Sequence, residues 1–386
     1  MSTTNAESSS STHTSFSAED FFATQPAPPQ LGEFGRKAQE FVAKHVQDGR
    51  RVVLVTSGGT TVPLEKNVVR FLDNFSAGTR GATSAEYFLA QGYAVIFMHR
   101  QHSLQPYTRH YSHTTNPFLD LLQEDPQPSS PARISVEEDQ SFHLLPVLRA
   151  YHSARSKGTL LQLPFTTVTE YLFMLREMAI AMKPLGRQGM YYLAAAVSDF
   201  FIPSTRTSEH KIQSGKGSLL IEMDQVPKVL KPMVERWAPE GFVVSFKLET
   251  DEKLLIPKAR QALQRYGHQC VIGNELNHRK FEVVFVERKF SKSDLAPVPN
   301  GPANDSSTDE FTEAWIRLSE EDKKMNKSRT LAGSARRPSH VFEPHGSRPW
   351  RGKFFEKEIE EDIVEQLLKR HDQWIAGGEA HKSNDR

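Results

Sequence analysis

Arg51-Val52-Val53-Leu54-Val55-Thr56-Ser57-Gly58-Gly59-Thr60 is the stretch that decides the fold. Its Val-Val-Leu-Val core has no polar face, so residues 51–56 read as a strand buried on both sides, like the inner strands of a parallel sheet. A glycine-rich turn follows at once. Glycine lacks Cβ, and such a turn can bring bare backbone N–H groups close to a phosphate. Taken alone, it could equally be a tight turn that packing requires.

Moving outward, residues 82–91 set Ala82, Ala85, Phe88 and Leu89 on one helical face, and Gly92 ends the helix before a strand over 93–98. This is a strand-helix-strand unit. Further strands are expected at 190–195, 219–223, 242–246, 269–273 and 282–287. Helices are expected at 167–182, 227–237 and 253–266, the last with Leu255, Ala259, Ala262, Leu263 and Tyr266 along one side. A final helix over 354–374 spaces Ile359, Ile363 and Leu367 at i+4 and should pack onto the sheet. The alternation gives an α/β fold: a Rossmann-like, mostly parallel sheet with helices on both faces.

The polar and glycine-containing segments fall just after strands: Thr56 to Thr60, Ala194-Ala195-Ala196-Val197-Ser198-Asp199-Phe200, Ser245-Phe246-Lys247-Leu248-Glu249-Thr250, and Gly273-Asn274-Glu275. In an open parallel sheet the ligand crevice lies beyond the carboxyl ends of the strands, so these segments should meet in one site. A second glycine-rich element, Asn74-Phe75-Ser76-Ala77-Gly78-Thr79-Arg80-Gly81, opens the helix that follows, where the macrodipole favours anions. Two anion-seeking loops in one unit suggest a polyphosphate. A dinucleotide site would need G-x-G-x-x-G and an acidic residue about 20 positions on, and neither is present. Arg100 could meet the 2′-phosphate of NADP, which keeps an NADP-dependent oxidoreductase as an alternative without any Tyr-x-x-x-Lys set to support it. A non-catalytic α/β binding module is the other.

The chain has 386 residues, 38% of them apolar, enough for one large core. With 48 basic against 47 acidic residues, its net charge of +1 supplies no overall field for nucleic acid or an anionic membrane. Cys270 is the only cysteine, which excludes an intramolecular disulfide and a multi-thiolate zinc site, and it reads as an inert core residue. No stretch approaches the roughly 20 apolar residues of a membrane span. The first 35 residues hold no Lys or Arg but four acidic residues, which argues against secretory or mitochondrial targeting and for the cytoplasm. Residues 1–30, rich in Ser and Thr and closing on Pro26, Pro28 and Pro29, read as a disordered tail. The expected organisation is one domain over 31–374 with insertions near 125–131, 291–309 and 323–352, then a disordered tail over 375–386.

Val55-Thr56-Ser57-Gly58-Gly59-Thr60, Val69-Arg70-Phe71-Leu72-Asp73-Asn74-Phe75-Ser76-Ala77-Gly78, residues 194–200, His210-Lys211-Ile212 and residues 245–250 together resemble the stand-alone eukaryotic form of phosphopantothenoylcysteine synthetase, the phosphopantothenate–cysteine ligase family. The resemblance covers roughly 31–100, 166–287 and the last helix, in order. It implies a two-step ligation in coenzyme A biosynthesis. The carboxylate of 4′-phosphopantothenate attacks the α-phosphate of ATP, or with less support CTP, and releases pyrophosphate; the amine of L-cysteine then displaces the nucleoside monophosphate, with Mg²⁺ assisting.

Carried over residue by residue, the resemblance gives Gly58, Ser76, Gly78, Gly81, Phe246 and Asn274 to the nucleotide, with Phe246 on the base. It gives Asn74, Ala195, Ala196 and Asp199 to phosphopantothenate, makes Lys211 a cation closing over the phosphates, and implies a homodimer in which Arg70 reaches the neighbouring subunit's site. Asn74, Lys211 and Arg70 form the catalytic set, and no residue is assigned to a metal. Standing alone, Asn74 would read as a turn residue, Arg70 and Lys211 as solvated surface cations, and Asp199 as a cap. Two departures stand out: Ala77 occupies the place of a usual second Ser, and Gly273 that of a common Ala. No flavin decarboxylase domain is seen upstream, so ligation alone is expected.

Overall fold

A computed structural model of the chain describes residues 16–111, 118–124, 133–213, 217–289, 310–324 and 357–384. Eight strands form the central sheet: β1 (Val52–Ser57), β2 (Ala94–Arg100), β3 (Leu160–Phe165), β4 (Gly189–Leu193), β5 (Phe242–Glu249), β6 (Cys270–Glu275), β7 (Glu282–Arg288) and β8 (Phe311–Arg317). Their order is β3-β2-β1-β4-β5-β6-β7-β8. The first six are parallel, whereas β7 and β8 run antiparallel to their neighbours. The 3-2-1-4-5-6 order is that of dinucleotide-binding folds, and it puts a topological switch point between β1 and β4.

Among the described residues seven longer α-helices accompany the sheet: α1 (Ala18–Thr24), α2 (Leu31–Gln47), α3 (Thr79–Ala90), α4 (Glu138–Lys157), α5 (Val168–Ala181), α6 (Glu252–Tyr266) and α7 (Ile359–Asn384). Alternation along β1 divides the layers. Val52 and Leu54 face α2 and α5 in a core with Ile96, Met98 and Tyr191, while Val53 and Val55 face α3 and α7 with Phe97, Tyr192 and Ile272. All four are fully buried, each contributing about 1.5–3 kcal/mol relative to an exposed position. Ile359, Ile363 and Leu367 of α7 are buried against this second face, as their spacing implies. Leu255, Ala259 and Leu263 of α6 pack on Val271, Val284 and Val286. Among the described residues no helix is long and apolar enough to cross a membrane.

Four expectations are corrected. The tail read over 1–30 is ordered in its second half: Ser17 caps α1 by accepting a hydrogen bond from Asp20 N at 3.0 Å, and Phe21 is fully buried. Phe21 packs edge-on to Phe201 at 5.0 Å between ring centroids, and Phe22 edge-on to Phe173 at 5.1 Å. Two phenylalanines therefore hold a segment whose average composition looked polar. At the other end, α7 does not stop at Trp374 but runs to Asn384; Trp374 Nε1 donates to Glu240 O at 2.8 Å and Arg187 stacks on the indole at 4.3 Å.

The strand expected at 219–223 does not form. β5 pairs directly with β4, and 219–223 runs outside the sheet with Leu220 93% exposed; only Asp224–Gln225 pairs, with Phe200–Phe201. The helix at 227–237 starts late, at Leu230–Pro232, and widens into a π turn over Met233–Trp237, closed by Ala238 N donating to Met233 O at 2.8 Å. The insertions expected at 125–131 and 291–309 lie outside the described residues, as does most of the one at 323–352.

Candidate functional site at the carboxyl edge of the sheet

Beyond the switch point the loops after β1 and β4 zip together. Ala196 N donates to Gly58 O at 2.8 Å, Thr60 N to Ala196 O at 3.0 Å, and Ala195 and Ser198 N donate to the Thr56 and Thr60 hydroxyls at 3.2 and 2.9 Å. The backbones come so close that side chains are excluded. A Cβ on Gly59 would lie 1.6 Å from Asn74 O; Gly58, at φ 84°, would put one 2.7 Å from Arg100 Cβ. This brings Gly58, Ala195 and Ala196 side by side, with Asn74 held by its N–H to Thr60 O at 3.1 Å. The half-buried Asn74 amide makes no hydrogen bond to a described residue.

The second glycine element closes on the same strand tip. Gly78, also at φ 84°, is the N-cap of α3; its carbonyl accepts from Ser57 Oγ at 3.0 Å, and its N–H approaches Ser76 Oγ at 3.4 Å. A Cβ on Gly81 would strike Ser57 at 2.4 Å. The first helical bond is Ala82 N to Gly78 O at 3.0 Å, so the N–H groups of Thr79, Arg80 and Gly81 point out of the helix end with no intrahelical acceptor. The Arg80 guanidinium turns away, pairing with Glu360 of α7 at 2.9 Å and donating to Arg279 O in the turn after β6. That contact fastens the first turn of α3 to two distant parts of the chain. Burial of Glu360 pushes its carboxyl above the ordinary value, against the opposing effect of Arg80.

Across the crevice, Phe246 of β5 meets Tyr192 edge-on at 4.9 Å, and Asn274, buried on β6, is in register with Leu248. Glu249 is held by Lys258 at 2.6 Å and Lys247 at 3.3 Å; burial raises its pKa, but these two cations outweigh it and leave the net value lowered.

The outer rim is organised by a residue that the motifs did not single out. Glu65 is fully buried and accepts from Arg70 N and Nε, each at 3.1 Å, and from Ile212 N at 3.3 Å. Arg70 Nη2 also donates to Ile212 O, and Lys66 and Asn67 N donate to Ser208 and Glu209 O at 2.8 and 3.2 Å. One carboxylate thus ties the Arg70 loop to the segment carrying Lys211, which stays exposed. Burial pushes Glu65 up, while the N–H groups of Ile212 and Arg70 and the guanidinium charge prevail and lower its pKa. Asp199 is exposed, 3.9 Å from Lys228. Its carboxylate makes no hydrogen bond to the glycine turns among the described residues. The only advance signal for Glu65 is a lone acidic residue in a loop that also carries Pro63, Leu64, Val68 and Val69.

Among the described residues no three His, Cys, Asp or Glu side chains converge in a way that could hold a metal ion. The donors here are backbone amides, hydroxyls, Asn and Arg, a set suited to an anion. A divalent cation would find its ligands on the phosphates of a bound nucleotide.

Comparison with known proteins points to one family. The model of the DNA/pantothenate metabolism flavoprotein C-terminal domain matches residues 167–292. The phosphopantothenate–cysteine ligase Cab2 of Saccharomyces cerevisiae is 39% identical over 381 residues, covering 93% of this chain and 87% of the relative. The human phosphopantothenate–cysteine ligase is 47% identical over 281 residues, 72% of this chain and 88% of the relative. A solved structure of a Cab2 mutant in complex with phosphopantothenate-cysteine superposes with a TM-score of 0.72 at 39% identity, covering 94% of this chain and 99% of that one. With a switch-point crevice lined by two glycine turns and relatives matched along most of their length, the chain belongs to the phosphopantothenate–cysteine ligase family.

Proposed function

We propose that this chain joins 4′-phosphopantothenate to L-cysteine in coenzyme A biosynthesis, using ATP in preference to CTP and acting in the cytoplasm. A carboxylate is a poor electrophile, so its oxygen first attacks the α-phosphorus, the α–β bond breaks, and pyrophosphate leaves. The cysteine amine then attacks the acyl carbon and expels the nucleoside monophosphate. Bringing two anions together is the difficulty, and fixed donors offset it.

The observation that carries the reading is the pair of glycine turns closed on Ser57 at the switch point, with the outward N–H groups of Thr79 to Gly81 beside them. Gly58, Ser76, Gly78 and Gly81 would hold the triphosphate, with Phe246 against the base and Asn274 nearby. Ala195, Ala196, Asn74 and Asp199 would hold phosphopantothenate; the neutral Asn74 amide grips an acyl phosphate without adding negative charge. Mg²⁺ bound to the nucleotide would neutralise phosphate charge. Lys211 supplies the cation over the phosphates.

Arg70 would serve the site of a second copy of this chain. Val68, Val69, Phe71, Leu72 and Phe75 beside it are all exposed, Phe75 by 84%, and such an apolar strip favours self-association through the hairpin in which Thr61–Pro63 pairs antiparallel with Phe71–Asp73. The deciding experiment mixes the protein with 4′-phosphopantothenate and either ATP or CTP and follows pyrophosphate. Release without cysteine, faster with ATP, and ligated product only after cysteine is added are expected. No pyrophosphate with either nucleotide would end the ligase reading; a faster reaction with CTP would reverse the preference alone.

A further inference from the structure

The turn after β2 carries a hydroxyl with no occupation inside the protein. Ser103 Oγ is buried and makes no hydrogen bond. It lies between the two glycine turns: a Cβ built on Gly58 and one built on Gly78 would each stand 3.2 Å from it. Those are the two glycines with φ of 84°, one from each anion-seeking segment. Ser57 Oγ, 3.0 Å from the same Cβ position on Gly78, is by contrast satisfied by the Gly78 carbonyl at 3.0 Å.

The position of Ser103 is enforced. Its N–H donates to Arg100 O at 3.1 Å, Leu104 N donates to Ala77 O at 2.9 Å, and His102 adopts φ 66°, a left-handed conformation uncommon outside glycine. The backbone therefore pins this turn to the glycine loop itself. A buried hydroxyl that has given up water without a replacement is destabilising, so such groups in native proteins call for an explanation. Here the space beside the Oγ is the space that the missing side chains of Gly58 and Gly78 leave open.

We propose that Ser103 is a phosphate-binding residue, its Oγ–H donating to a phosphate oxygen of the nucleotide seated on the Gly58 turn and the Gly78–Gly81 turn. The inference rests on the nucleotide reading of those turns given above. The phosphate is assigned to the nucleotide because the hydroxyl faces Gly58 and Gly78, whereas Asn74 and Ala195 stand toward the other substrate.

The test measures melting temperature and ligand affinity of full-length wild type and Ser103→Ala, with α,β-methylene analogues of ATP and CTP, and separately with 4′-phosphopantothenate. Without ligand, Ser103→Ala should melt at or above wild type, because it removes a buried group that lacks a partner. Affinity for the preferred analogue should fall about tenfold or more, as expected for losing a hydrogen bond to a charged group, and phosphopantothenate affinity should hold. Unchanged nucleotide affinity overturns the proposal, as does a selective loss of phosphopantothenate affinity. A lower ligand-free melting temperature with both affinities reduced alike would make Ser103 a packing residue. If wild type binds neither analogue, the nucleotide reading of the turns fails, and the role of Ser103 with it.

Discussion

The glycine wall and the charged rim of this site are only a few residues apart in sequence and are held by different physics. In the wall, Gly59 and Gly81 are needed because a single carbon would overlap Asn74 O or Ser57, so its shape depends on atoms that are absent. In the rim, Arg70 and the segment carrying Lys211 are gathered by donors to one buried carboxylate, Glu65, so its shape depends on a charge. The wall should tolerate changes of pH and fail to any added bulk. The rim should tolerate conservative changes of shape and respond to charge.

Gly59→Ala should have the largest effect. The Cβ would sit 1.6 Å from a carbonyl oxygen that cannot rotate away, so the β1 loop must separate from Asn74. Overpacking of this kind costs about 1–3 kcal/mol and more where backbone is struck. Both a fall in melting temperature and loss of nucleotide binding are expected. If the variant melts and binds like wild type, the wall is softer than its contacts imply.

Lys211→Ala comes next, with the opposite signature. The side chain is exposed and makes no ion pair with a described residue, so stability should not change, while single-turnover formation of the acyl-nucleotide should slow by about 10²-fold or more, the range for one electrostatic stabiliser. An unchanged rate would take Lys211 out of the mechanism.

The two regions also differ in how far they could be read in advance. The wall is backbone-made, and glycine is its sequence signature: Gly58, Gly59, Gly78 and Gly81 announced themselves, and the strand pattern placed them at one edge. The six inner strands followed from the same alternation of strands and helices, although the strand expected at 219–223 is absent, whereas the two edge strands escaped it. Strand β3 carries Pro164, which an edge strand tolerates and which obscures the pattern, and β8 buries little more than Phe311. In the rim, Glu65 is an ordinary acidic residue until the fold brings Ile212 back over it, 147 positions away. Ser103 was equally silent, because a missing hydrogen bond has no sequence signal. The polar composition of 1–30 concealed α1 because two aromatic side chains can secure a segment that an average over thirty residues calls disordered.

Glu65→Gln should have the smallest effect and the most specific one. The amide keeps the shape and can still accept from Arg70 Nε, but the charge that orients the guanidinium is gone, so a loss of roughly tenfold in kcat/KM is expected, the scale of one charge-assisted hydrogen bond. Its pH dependence follows from the lowered pKa. A carboxyl whose pKa falls on folding stabilises wherever it is ionised in both states, that is, above its unfolded value near 4.3. That advantage fades as pH drops through the lower folded value. The melting temperature of wild type should therefore exceed that of Glu65→Gln by a constant margin at neutral pH, and the margin should shrink below about pH 4.3, where the unfolded chain binds the proton first. Gly59→Ala, by contrast, should differ from wild type by the same amount across that range. If the Glu65→Gln margin proves independent of pH, the rim is held by shape, as the wall is, and the contrast between them disappears.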